Sequence, residues 1–90
     1  MEKLFLGEAV ELEYGEFNKC GHITEIKATS DGETNKGYIM LSNEVYSYKL
    51  YLAKGDSLNY KQINEDEDDE FINMNYFTVE NISDNEITLS

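Results

Sequence analysis

The chain has 90 residues, a formal net charge of −12 and a hydrophobic content of 40% that includes seven Tyr and four Phe. This length allows one domain, and the aromatic content excludes a wholly disordered acidic tail. The 19 acids face only seven bases, all of them Lys, so the charge disfavours phosphate backbones and anionic membranes and favours cationic protein surfaces or metal ions.

The cysteine content and the N-terminal residues indicate in which cellular compartment we expect the protein. Cys20 is the only cysteine of the sequence, which excludes an intrachain disulfide. The N-terminal apolar run is too short for a signal peptide, and no stretch reaches the ~20 apolar residues of a membrane-spanning helix. We therefore expect a protein of the reducing cytoplasm with no membrane partner.

Period-two patterns dominate the first half of the chain. Residues 10–14 alternate apolar and acidic side chains, which predicts a half-buried strand with Glu11 and Glu13 on one face, about 6–7 Å apart. A second strand is predicted over residues 22–28. Its Ile23 and Ile26 lie three apart, so either a bulge intervenes or both faces are covered. The polar residues 29–37 predict a long hairpin connection.

The second half continues this pattern with one ambiguous stretch. Strands are predicted over residues 38–41, 45–52, 76–82 and 86–89. Residues 57–63 fit a short helix capped by Asp56 or Ser57. Residues 71–74 could extend a second helix whose first turn is acidic. A loop or helix start is expected at residues 64–70.

These elements predict one domain over residues 1–90 that is mainly β, either all-β or α+β. We expect a small antiparallel barrel or sandwich with at most two short helices after Ser57. Three segments combine a glycine with spaced apolar residues: Gly7-x-x-Val10-x-Leu12-x-Tyr14, Gly21-x-Ile23-x-x-Ile26 and Gly37-Tyr38-Ile39-x-Leu41. Over residues 7 to about 52 this order resembles the opening strands of SH3-like small barrels, which implies a fold and no function.

Cys20 and His22 could begin a zinc site or a Cys–His dyad. A tetrahedral zinc site needs four ligands, and the sequence has no other Cys or His. On one strand the two side chains would lie about 6–7 Å apart, whereas direct proton transfer needs about 3 Å. We therefore expect no enzyme activity, cofactor or structural metal.

The longest charged feature is a run of six carboxylates, which consists of Glu65, Asp66, Glu67, Asp68, Asp69 and Glu70. Its oxygens suit Ca²⁺ or Mg²⁺, but the glycine and the closing Glu of an EF-hand loop are missing. Such runs are usually solvated loops. We predict that this run is the leading partner-binding patch, and that Glu11 and Glu13 form the second one.

The tyrosine-rich residues 45–52 allow a different interpretation. Aromatic strands can stack single-stranded bases, but such platforms come with a cationic groove. In the sequence only Lys49 and Lys54 lie close by, so we expect no direct binding of nucleic acid. Tyrosines on an exposed strand also suit a protein interface.

In size, acidity and lack of catalytic groups the chain resembles phage-encoded anti-restriction, anti-CRISPR and DNA-mimic inhibitors. The resemblance covers composition and no motif, so it assigns no site residues. It implies an inhibitor that blocks the basic surface of a nucleic-acid-binding protein or nuclease complex, in the host cytoplasm if the protein is phage-encoded. The alternative is a non-catalytic β-barrel adaptor that docks through its Tyr/Leu strand. The sequence leaves the partner's identity and the oligomeric state open.

Overall fold

The computed structural model describes residues 2–29, 35–63 and 75–90, which form eight β-strands and no helix. The strands are β1 (Glu2–Phe5), β2 (Ala9–Tyr14), β3 (Phe17–Ala28), β4 (Lys36–Ser42), β5 (Ser47–Ala53), β6 (Ser57–Gln62), β7 (Asn75–Ser83) and β8 (Glu86–Leu89). The prediction of a mainly β domain is confirmed. The predicted second helix at residues 71–74 and the acidic segment at 64–70 lie outside the described residues.

All strand pairs are antiparallel, and they form one sheet in the order β1-β8-β7-β6-β2-β3-β4-β5. The sheet does not close into the expected SH3-like barrel, because β1 and β5 stand at its two ends. The long strands β3 and β7 each change partners along their length. β3 passes from β2 to β4, and β7 passes from β6 to β8.

The short helix considered for the ambiguous residues 57–63 does not form. Instead, Ser57–Gln62 form β6, which pairs with β2 on one side and β7 on the other. Leu58 and Tyr60 are both buried, so the apolar period is two and fits a strand. The prediction for β3 was right about the irregularity, since its register with β4 shifts between Ile23 and Glu25. This bulge turns both Ile23 and Ile26 toward the core.

The core consists of apolar side chains from all eight strands on one side of the sheet, and we call the other side the outer face. Its buried members are Leu4, Val10, Leu12, Ile23, Ile26, Ile39, Leu41, Leu50, Leu52, Leu58, Tyr60, Val79, Ile82, Ile87 and Leu89. Alternate residues of a strand point to the outer face. On β6 this side is covered as well, because Asn59 is buried between the core residues Leu58 and Tyr60.

The sheet curls so that β7 and β8 lie across the core from β3, β4 and β5. Backbone hydrogen bonds join the two layers, including Gly55 N to Val79 O at 2.8 Å and Asn85 N to Ile26 O at 2.9 Å. Gly37 lies at a close approach, where a Cβ would come within 2.6 Å of the Ile82 methyl group. The curl brings side chains together that are far apart in the sequence.

The turn between β5 and β6 is a junction of three strands. Asp56 accepts hydrogen bonds from the Tyr14 hydroxyl at 3.0 Å and from the Ala53 amide at 2.9 Å. Its own carbonyl accepts the Val79 amide at 2.8 Å. The half-buried Asp56 thereby ties β5 to β2 and β7.

Candidate functional site

The two acidic positions predicted on β2 share its outer face. Glu11 stands opposite Lys61 of β6, and Glu13 stands opposite Asn59. Both glutamates are half-buried. Asn59 pairs on its other side with Tyr76 of β7, whose side chain is 72% exposed. The predicted run at residues 65–70 lies outside the described residues. The sheet therefore positions the second of the two predicted patches.

Charge is unevenly divided between the described residues and the rest of the chain. Eleven of the 19 acids and all seven lysines are described, while the other eight acids fall within residues 30–34 and 64–74. Within the described ranges the ion pair joins Lys3 Nζ to Glu86 Oε1 at 2.9 Å. Neither Glu11 nor Glu13 forms an ion pair within the described ranges, although Lys61 is the register neighbour of Glu11.

Glu8 has a structural role that the sequence did not reveal. Its carboxylate accepts the Phe5 amide at 2.8 Å and the Tyr60 hydroxyl at 3.2 Å. Burial raises the pKa of Tyr60, and the charges of Glu8 and Glu2 raise it further. These residues line an open cleft of about 390 Å³. Because Glu8 already accepts internal donors, it is less free to bind a partner than Glu11 or Glu13.

A second surface is formed by the connection between β4 and β5, residues 43–46, which we call the tip. Asn43 Oδ1 accepts the amides of Val45 and Tyr46, both at 2.9 Å. The Asn43 amide donates to the Tyr46 carbonyl at 2.8 Å. These bonds hold the turn while Val45 is 73% exposed and Tyr46 60% exposed. The tip thus presents two apolar side chains on a fixed backbone.

An aromatic row connects the tip to the core. Phe17 packs against the core, and its ring centroid lies 6.2 Å from that of Tyr48. Tyr48 in turn lies 5.8 Å from Tyr46. The ammonium of Lys19 is 5.0 Å from the centroid of the Tyr48 ring. The aromatic row of Phe17, Tyr48 and Tyr46 therefore supports the exposed tip from below.

The outer face of β5 carries a separate aromatic pair. Tyr51 is a register partner of Tyr38 on β4, with ring centroids 6.0 Å apart. Lys49 Nζ lies 4.5 Å from the Tyr38 centroid. The Glu25 carboxylate accepts the Tyr38 hydroxyl, and this hydrogen bond raises the pKa of Tyr38. Tyr51 and Tyr48 face opposite sides of β5, so its tyrosines do not form one stacking platform.

Register adds two lysines to this outer face that the sequence pattern did not place there. Lys27 stands opposite Tyr38, and Lys36 stands opposite Ala53. The sequence had placed only Lys49 and Lys54 near the tyrosines of residues 45–52. The missing signal was the β3–β4 and β4–β5 register.

Cys20 and His22 are both exposed and stand two residues apart on β3. Among the described residues no three His, Cys, Asp or Glu side chains are grouped to hold a metal ion. The described part of the chain also has no helix that could span a membrane.

No protein-family model, curated protein or solved structure matches the chain.

Proposed function

We propose that the protein is a small acidic inhibitor that binds the basic nucleic-acid-binding surface of a partner protein and blocks it. The observation that supports this proposal is the pair of carboxylates on the outer face of β2. Glu11 and Glu13 lie on one strand without an ion-pair partner among the described residues. They belong to a chain of net charge −12, so a cationic surface is their natural counterpart.

The mechanism is replacement of phosphate by carboxylate. Arginine binds either group through two parallel hydrogen bonds, so a partner's arginines can exchange nucleic acid for the inhibitor. A single exposed ion pair contributes only about 0–1 kcal/mol. Blocking a channel therefore requires several carboxylates acting together, and long-range attraction accelerates their approach.

The test is displacement of nucleic acid from a captured partner. The immobilised chain is used to capture host proteins at low and high salt, and each captured protein is then assayed for binding to labelled DNA or RNA. The proposal predicts that the inhibitor displaces the nucleic acid. It also predicts weaker displacement by the Glu11→Gln/Glu13→Gln variant. The matched control is Glu2→Gln/Glu16→Gln, which removes the same charge at exposed positions elsewhere.

Two outcomes would contradict the proposal. One is a partner that keeps its nucleic acid at saturating inhibitor. The other is equal displacement by the β2 variant and its control, because position on the sheet would then be irrelevant.

A second function, a non-catalytic adaptor module, is favoured by the position of β5. This strand stands at one end of the sheet order and is adjacent to the exposed tip. An end strand can pair with an extended segment of another protein. An adaptor that docks here should bind its partner with little dependence on salt and without displacing nucleic acid.

A further inference from the structure

The tip combines three properties of a binding anchor. Its backbone is held by the Asn43 side chain, its Val45 and Tyr46 side chains are exposed, and the aromatic row supports it from the core. Exposed aromatic side chains on a fixed backbone lose little conformational entropy on binding. Tyr is also enriched among the residues that dominate interface energies.

The tip also borders a concave site with a carboxylate. Asn43, Glu44, Val45, Tyr46 and Tyr48 line a shallow concavity of about 460 Å³. Two tyrosine rings therefore share this surface with one acidic side chain. A planar cation can stack on a tyrosine ring while its N–H groups donate to a carboxylate.

The structure shows that one of these rings already accepts a cation. The Lys19 ammonium lies 5.0 Å from the Tyr48 centroid, within the range of a cation–π contact. A guanidinium from another molecule could occupy the same kind of position on Tyr46, or replace Lys19 on Tyr48. A second copy of this chain is a poor occupant because each copy carries a net charge of −12.

We propose that the tip is an arginine-binding site, in which Tyr46 and Tyr48 stack on a partner's guanidinium and Glu44 accepts its hydrogen bonds. This inference rests on the proposed function, because it takes the partner to be a basic protein. It adds a specific anchor to the general attraction between the acidic surface and that partner.

The test is an NMR titration of the isotope-labelled full chain with the blocked peptide acetyl-Gly-Arg-Gly-amide. We expect saturable shifts of the Val45 methyl groups and of the Tyr46 and Tyr48 ring signals. The neutral peptide acetyl-Gly-Gln-Gly-amide should not produce them. Equal shifts with both peptides, or arginine-dependent shifts spread over all acidic residues, would overturn the proposal.

Some variants should weaken binding of the arginine peptide and another should strengthen it. Tyr46→Ala and Glu44→Gln should each lower the affinity for the arginine peptide about 2–5-fold, whereas Tyr46→Phe should retain binding. Lys19→Gln removes the internal competitor and should strengthen binding about twofold or more. Lys27→Gln is its matched control, because it changes the net charge equally on the outer face of β3.

These results separate general electrostatics from a specific site. If Lys19→Gln and Lys27→Gln strengthen binding equally, only net charge matters and the arginine site is refuted. Glu2→Gln is the corresponding control for Glu44→Gln, and an equal loss with both variants would refute the site as well.

The inference and the proposed function fail in distinguishable ways. Peptide binding at the tip together with displacement that ignores Glu11 and Glu13 would refute the inhibitor mechanism and leave the arginine site standing. Displacement that depends on Glu11 and Glu13 without peptide binding at the tip would refute the arginine site alone.

Discussion

Asp56 offers the most direct test of how the curled sheet is held together. Its carboxylate accepts hydrogen bonds from Tyr14 and from the Ala53 amide, and both donors lose their partner in Asp56→Ala. A hydrogen bond to a charged group contributes about 1.5–3 kcal/mol when buried, and less when half-exposed. We expect Asp56→Ala to lower the free energy of unfolding by roughly 2–4 kcal/mol.

This loss is large for a chain of 90 residues, whose total stability is about 5–13 kcal/mol. It corresponds to a fall in melting temperature of roughly 10–20 °C. Thermal unfolding followed by far-UV circular dichroism measures it. Tyr14→Phe removes only one of the two bonds and should cost about 0.5–1.5 kcal/mol. A melting temperature of Asp56→Ala within about 3 °C of the parent would refute the role of this junction.

Three further predictions concern stability and dispensable groups. Gly37→Ala should lower the free energy of unfolding by about 1–3 kcal/mol in a denaturant titration, because its methyl group would collide with the Lys27 carbonyl and the Ile82 side chain. The raised pKa of Tyr60 stabilises the fold below the unfolded pKa of about 10, and this contribution is lost as pH rises above that value. Alkaline titration of unfolding should therefore show a steeper decline for the parent than for Tyr60→Phe. Cys20→Ser should leave folding and partner binding unchanged, and stoichiometric zinc in the purified protein would contradict this.

The strands that the sequence predicted well are those whose pattern is local. β2, β4 and β8 alternate apolar and polar residues, and burial of one face is enough to specify them. The spacing of Ile23 and Ile26 gave two options, and the register shift selected the bulge. The sequence spacing therefore indicated an irregularity in β3, and the pairing with β4 shows which kind it is.

The errors lie where partners are distant in sequence. The segment 57–63 is short, so its sequence is compatible with either a capped helix or a strand. Its pairing with β2 and β7 makes it a strand. β1 has four residues and pairs with β8 at the other end of the chain, so no local pattern identified it. The resemblance to SH3-like barrels covered β2 to β5 only. It therefore did not predict how β6, β7 and β8 join the sheet, which stays open.

The candidate sites show the same limit. Glu11 and Glu13 could be placed on one face because they alternate along one strand. The aromatic row could not, since Phe17 and Tyr48 come from β3 and β5, which β4 separates in the sheet. The fixed backbone of the tip depends on the Asn43 side chain, which the sequence marked only as part of a turn.

If acidic residues carry partner binding, neutralising them should slow association with the captured partner, and the association rate measures this. Stopped-flow mixing should compare the parent with a variant in which Asp66, Asp68 and Asp69 become Asn and Glu70 becomes Gln. We expect slower association of the variant and a shallower dependence on salt, with the fold retained or stabilised by lower self-repulsion. A folded variant that associates as fast as the parent at every salt concentration would show that these acidic residues do not carry partner binding.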